Sequence, residues 1–126
     1  MTLAGGLAQA ADDDFCYLTT RGRVTGRAHE IEIWFALDST TMFVLAGGGD
    51  RSDWVRNLQA DPAVTVRLRD TTHDATARVV EAGTDEDAHA RHLVFEKYQP
   101  RYSGSLDSWR ESALPVALDL SSHDQS

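Results

Sequence analysis

Glu30-Ile31-Glu32-Ile33-Trp34-Phe35-Ala36-Leu37 decides how this chain is to be read. Ile31, Ile33, Phe35 and Leu37 recur at a period of two, which puts them on one face of a strand, and Asp38-Ser39-Thr40 then supplies turn chemistry. The stretch predicts a half-buried strand over residues 30–37. Upstream, Phe15-Cys16-Tyr17-Leu18-Thr19-Thr20 is aromatic and β-branched and runs into Gly22, which suits another strand. Downstream, Thr41 to Ala46 continues as a strand with apolar residues on both faces and stops at Gly47-Gly48-Gly49, where pairing is hard to sustain. These three strands are expected to form a meander.

Beyond the glycines, Asp50 or Ser52 is a candidate N-cap for a short helix whose apolar side is Trp54, Val55 and Leu58, closed by Asp61-Pro62. Val64, Val66 and Leu68 alternate with polar residues. A turn at Asp70 to His73 and a second alternating run over Asp74 to Glu81 then predict a hairpin. Thr84 followed by Asp87 resembles a capping box, with Asp in place of Glu, before a helix reaching about Tyr98 and ended by Pro100. Pro115 to Leu120 reads as a last short strand. Five or six strands with only two helices among them lack the repeated helical crossovers of a parallel α/β sheet, so a small, mostly antiparallel barrel is expected. The parsing is a lead-in over 1–14, one domain over 15–120 and a polar tail over 121–126.

A chain of 126 residues can bury a core without disulfides or a structural metal. No apolar run approaches the roughly 18 residues of a membrane span, and the start lacks the basic residues of a signal peptide. The single cysteine, Cys16, sits in an apolar stretch as a small hydrophobe, which fits a reducing, cytoplasmic setting. A formal charge of −8 makes nucleic acid a poor partner.

The basic residues are concentrated. Five of the twelve Lys and Arg residues lie in two glycine-bearing loops, Arg21, Arg23 and Arg27 in the first and Arg51 and Arg56 in the second. Glycine turns bring backbone N–H groups close to a ligand, and guanidinium forks hold phosphate bidentately. The second loop also leads into a helix N-terminus, which favours an anion. Together these parts describe an anion pocket. Composition alone favours a plainer reading, in which the glycines shape a hairpin and the arginines are solvated. Neither loop is a Walker A or dinucleotide-binding motif.

The two loops carry a resemblance. Leu18-Thr19-Thr20-Arg21-Gly22-Arg23-Val24-Thr25-Gly26-Arg27 and Gly47-Gly48-Gly49-Asp50-Arg51-Ser52-Asp53-Trp54-Val55-Arg56-Asn57-Leu58-Gln59-Ala60-Asp61-Pro62 resemble, in order and spacing, the two signatures of the deazaflavin (F420)-dependent nitroreductase and F420H2-dependent quinone reductase family. The likeness covers about residues 15 to 120. It implies a mainly β, pyridoxamine-phosphate-oxidase-like split β-barrel, with the cofactor's phosphate tail at the first loop and its ring near the second. By that resemblance Arg23 and Thr25 hold phosphate, Trp34 and Phe35 lie along the cofactor, and Ala46, Gly47, Gly48, Arg51, Trp54 and Asn57 form the second side. Many members carry a lysine where this chain has Val24, and Arg21 or Arg27 stands as a replacement. Tyr98 and Tyr102 match a looser, tyrosine-rich segment over the substrate side and are the candidate catalytic donors.

The implied activity is hydride transfer from F420H2 to a small electron-poor acceptor such as a quinone, nitro compound or enone. The alternatives are an FMN-binding split-barrel oxidoreductase and a non-catalytic module holding a cofactor, haem or lipid. No metal is assigned: His89 and His92 lack a zinc-type spacing, and Asp12-Asp13-Asp14 reads as a solubilising run. Ser103-Gly104-Ser105 lacks a nucleophile elbow, and Trp109 reads as a packing residue. The alternation is compatible with a monomer and with a homodimer paired through a sheet face.

Overall fold

The computed structural model describes residues 10–121, so most of the expected lead-in and nearly all of the polar tail lie outside the described residues. Seven strands form one sheet: β1 (Cys16–Arg21), β2 (Ala28–Ile33), β3 (Ala36–Asp38), β4 (Thr41–Ala46), β5 (Ala63–Leu68), β6 (Thr71–Val79) and β7 (Leu114–Leu120). Their spatial order is β2-β1-β5-β6-β7-β4-β3, and every pairing is antiparallel. Three helices lie wholly within the described residues: α1 (Asp53–Ala60), α2 (Asp85–Tyr98) and α3 (Asp107–Ser112).

The decisive stretch is interrupted. It forms β2 and β3 with Trp34-Phe35 between them, and these two strands, consecutive in the chain, occupy opposite edges of the sheet. A two-residue link between the edges requires the sheet to curl until they approach each other, which is the geometry of a split barrel. The facing survives the break: Ile31, Ile33 and Leu37 pack against the interior, where Phe35 is fully buried. The expected meander is therefore replaced by two hairpins, β1–β2 and β3–β4, separated by the other three strands. The alternation sets which face is buried, but it carries no information about which partner a strand chooses.

β4 shows why its apolar residues face both ways. Met42, Val44 and Ala46 join Leu18, Val66 and Leu118 inside the curl. Phe43 and Leu45 point outward, under α2, against Ala90, Val94 and Tyr98. Those three helical residues recur every four positions and so share one face. Thr84 caps α2 as expected, its Oγ1 accepting from Asp87 N at 3.2 Å. Each large side chain buried in this way contributes about 1.5–3 kcal/mol relative to exposure.

The β5–β6 hairpin turns at Arg69-Asp70 instead of residues 70–73, and Arg69 takes the left-handed conformation with φ 56°. The two-residue turn leaves Thr71 and Thr72 paired in the ladder, where their β-branching is at home. Helix α3 has no counterpart in the sequence reading: its six residues, Asp-Ser-Trp-Arg-Glu-Ser, present almost no apolar periodicity.

Candidate active site

The first loop joins β1 to β2, and the second joins β4 to α1. Arg23 and Asn57, 34 residues apart, bring them together. Asn57 is on the inner side of α1, 5% exposed, and its Oδ1 accepts from Arg23 Nη1 at 2.7 Å and from Arg23 N at 3.2 Å. Its Nδ2 donates to the buried Thr20 Oγ1 at 3.3 Å. One amide thus ties the helix to strand β1 and to the loop that follows it. Arg23 also reaches the start of α1, with Nη1 at 3.4 Å from Asp53 O and Nη2 at 3.4 Å from Asp53 Oδ1.

The first loop is a tight hairpin. Gly22 N donates to Arg27 O at 2.7 Å, Gly26 N donates to Gly22 O at 2.9 Å, and Gly26 has φ 75°, which a side chain would strain. Among the described residues, the N–H groups of Val24 and Thr25, at the tip of this hairpin, have no hydrogen-bond partner. The second loop passes through a single 3-10 turn, Gly49–Arg51. A Cβ at Gly48 would lie 2.6 Å from Ser52 Oγ, a contact that rotation of the serine hydroxyl would relieve.

A groove of about 620 Å³ runs between the first loop, β2 and α1, lined by Gly22, Arg23, Val24, Thr25, Ala28, His29, Glu30, Ile31, Asp53, Trp54 and Asn57. A second groove, of about 550 Å³, is lined farther along β2 by Glu32, Ile33 and Trp34 and by Phe15, Leu45, Tyr102, Ser105, Leu106, Ser108 and Trp109. Aromatic rings dominate it. Trp34 packs edge to face with Tyr102 at 5.9 Å and with Trp109 at 5.6 Å between centroids, while its own face is stacked on Tyr98 at 4.3 Å. Trp109 also approaches the second loop, 3.5 Å from where a Cβ on Gly47 would be. It lines the groove as well as packing, a role that the sequence reading did not assign because α3 was not foreseen.

Several expected site residues are thereby gathered: Arg23, Thr25, Trp54 and Asn57 at the first groove, Trp34 and Tyr102 at the second, and Gly47 beside Trp109. Others are not. Phe35 is 0% exposed in the interior core, and Ala46 is 1% exposed there. Arg21 turns away, its Nη1 donating to Gly26 O at 3.1 Å and its Nε 3.7 Å from Asp61, so it does not replace the family lysine in the groove. Arg27 and Arg51 are exposed and line neither groove.

Tyr98 requires a correction. Its ring is 2% exposed, and its hydroxyl donates to Asp14 O at 2.7 Å while accepting from Phe35 N at 3.0 Å. Both capacities of the hydroxyl are committed to backbone, and burial raises its pKa, so it is not presented to an acceptor. Tyr98 instead holds the β2–β3 link from below and supports Trp34. Lys97 does the same from the other side: Nζ donates to Phe35 O at 2.9 Å and lies 3.6 Å over the Phe35 ring. Partial burial lowers the Lys97 pKa to about 8. Tyr102, by contrast, is 47% exposed at the aromatic groove.

A cofactor with a ring and a phosphate tail finds matching chemistry here. One guanidinium and two unpaired N–H groups suit a single phosphate, and the indoles suit a flat ring.

The fold is shared with proteins of related description. One is an F420-H2 dependent reductase (FDR-A), 22% identical, with a TM-score of 0.68 over 86% of this chain and 95% of that one. Another is the heme storage protein HutZ from Vibrio cholerae, 18% identical, with a TM-score of 0.68 over 96% and 92%. A third, from Listeria innocua, is a proposed pyridoxamine 5′-phosphate oxidase, 13% identical, with a TM-score of 0.65 over 94% and 93%. At these identities the likeness speaks to the split barrel alone. Family membership rests on the sequence itself: the model of the F420H(2)-dependent quinone reductases matches residues 3–121. This chain, with its paired loops joined through Arg23 and Asn57, belongs to the F420H(2)-dependent quinone reductase family of oxidoreductases.

Proposed function

We propose that this protein binds deazaflavin F420 across the two grooves and reduces a small, planar, electron-poor acceptor, of quinone, nitro or enone type. The observation that carries the proposal is the Arg23–Asn57 junction, which sets a phosphate-sized cluster of donors beside a groove walled by Trp34, Tyr102 and Trp109. Reduced deazaflavin supplies a hydride, which is the difficult part of the chemistry. The protein's own contribution is positioning, exclusion of water and stabilisation of negative charge developing on the acceptor oxygen. Arg23, Thr25 and the N–H groups of Val24 and Thr25 bind the phosphate. Trp34, fixed from behind by Tyr98, orients a flat ring, and Tyr102 Oη donates a hydrogen bond to the reduced oxygen and then its proton, which solvent replaces.

A second reading, an FMN-dependent reductase on the same scaffold, is favoured by one observation: a single permanent cation lines the first groove, enough for one phosphate. Titration of the purified protein with F420 and with FMN at low and high salt, followed by menadione added to the reduced complex, separates the readings. Binding of F420 with oxidation of F420H2 supports the first. Binding of FMN alone moves the assignment to the second, and binding without turnover refutes both as enzymes.

A further inference from the structure

The first groove holds less positive charge than its neighbouring arginines suggest. Among the described residues Arg23 is its only arginine or lysine, His29 is its only histidine, and Glu30 and Asp53 place two carboxylates on its walls. Arg21 is directed to Asp61. At the rim Val24 is 87% exposed and brings no charge. Asp53, its side chain 86% exposed, stands 3.4 Å from the Arg23 guanidinium, in the first turn of α1, where the helix end would otherwise attract an anion. Asp53 therefore offsets both Arg23 and the helix dipole, whereas Glu30, on β2, is paired with Arg67 at 3.5 Å.

We infer that Asp53 is a specificity-determining residue that admits a tail of one phosphate and rejects added carboxylates. The preferred ligand is then an F420 species with a short glutamate tail. This inference rests on the proposed cofactor. A phosphate in the groove satisfies Arg23 and the loop N–H groups; a further carboxylate beside it meets Asp53, and the described lining of the groove offers no second arginine or lysine. Unlike protein interiors, this rim is wet. One charge at about 4 Å in water is worth roughly a three- to fivefold change in Kd, and the effect fades as salt shortens the Debye length.

The test is an equilibrium titration of the whole chain with three ligands: F420 carrying one glutamate, F420 carrying several, and the deazaflavin chromophore without phosphate or tail. Wild type is expected to bind the short-tailed form at least as tightly as the long-tailed one. Asp53→Asn is expected to tighten the long-tailed form about three- to fivefold more than the short-tailed form, an advantage that disappears at high salt. Val24→Lys, at an exposed position that makes no fold contact, is expected to tighten both and to favour the long tail. The inference is overturned if wild type binds the long-tailed form several-fold more tightly, or if Asp53→Asn leaves both affinities unchanged. Equal binding of the tail-free chromophore also overturns it while leaving the cofactor reading standing. Failure of all three ligands to bind folded protein refutes that reading as well.

Discussion

Replacing Asn57 with alanine tests the junction on which the site is built. The substitution removes the 2.7 Å and 3.2 Å bonds from Arg23 and the 3.3 Å bond to Thr20, whose side chain is 1% exposed and loses its amide partner. A hydrogen bond to a charged group contributes about 1.5–3 kcal/mol and a neutral one about 0.5–1.5 kcal/mol. Water replaces part of the Arg23 interaction, because that side chain is 31% exposed, so a net loss of about 2–3 kcal/mol is expected, equivalent to roughly 8–12 °C in Tm. Urea denaturation measures the stability loss, and titration with F420 well below the melting range measures the function. With its guanidinium no longer held, Arg23 is expected to bind phosphate about tenfold more weakly. Asn57→Asp separates the two effects. Its carboxylate can still accept both bonds from Arg23, so the fold is expected to survive within about 1 kcal/mol, but the added negative charge weakens phosphate binding. A melting temperature for Asn57→Ala within about 2 °C of wild type would refute the structural role, and wild-type affinity in Asn57→Asp would refute the anion-site role.

Tyr98→Phe keeps the ring stacked on Trp34 but leaves Phe35 N without its partner, so it is expected to cost about 1–3 kcal/mol in urea denaturation while turnover below the melting range is retained; lost turnover in a fully folded variant would return Tyr98 to the chemistry. Tyr102→Phe is expected to leave stability within about 0.5 kcal/mol and to lower kcat by about 10- to 100-fold, and unchanged turnover removes Tyr102 as donor. Lys97 titrates near 8 in the fold and at 10.5 in the unfolded chain, chiefly because burial disfavours its charge. Between those values the unfolded state binds more protons, so this residue makes stability rise as pH climbs from about 8 to 10.5. Lys97→Met is expected to flatten that rise in denaturation curves taken across the interval, and a rise undiminished in the variant would assign it to other groups.

Sequence periodicity disclosed local facts well and global ones unevenly. The period of two in Glu30–Leu37 and Val64–Leu68, and the Thr84–Asp87 cap, are read directly because each depends on residues close in the chain. The break at Trp34-Phe35 is invisible to that reasoning, since a buried link held by Tyr98 Oη and Lys97 Nζ looks like two more strand residues. Pairing β4 with β7 joins Thr41 to Asp119, a contact that local pattern does not encode. At the site, the two loops were legible as family-like signatures, whereas the Arg23–Asn57 bond between them was not, and the directions of Arg21 and Tyr98 were set by distant partners, Asp61 and Asp14. Trp109 was missed as a groove wall because α3 is too short and polar to announce itself. Asp53 carried a signal that went unused: an acid immediately before the signature tryptophan, in a loop otherwise read for its cations.

The order of the sheet has a consequence for how the protein is made. β7, which follows the other six strands in the chain, does not join at an edge but inserts between β6 and β4, pairing with both along its length. Until residue 120 has emerged from the ribosome, β4 and β6 each expose an open rim of N–H and C=O groups, and Met42, Val44 and Leu118 have no complete core to enter. The nascent chain therefore waits, with three hairpins and three helices in hand, for a keystone strand; a ribosome stalled before that point displays two unpaired edges that invite aggregation and chaperone capture.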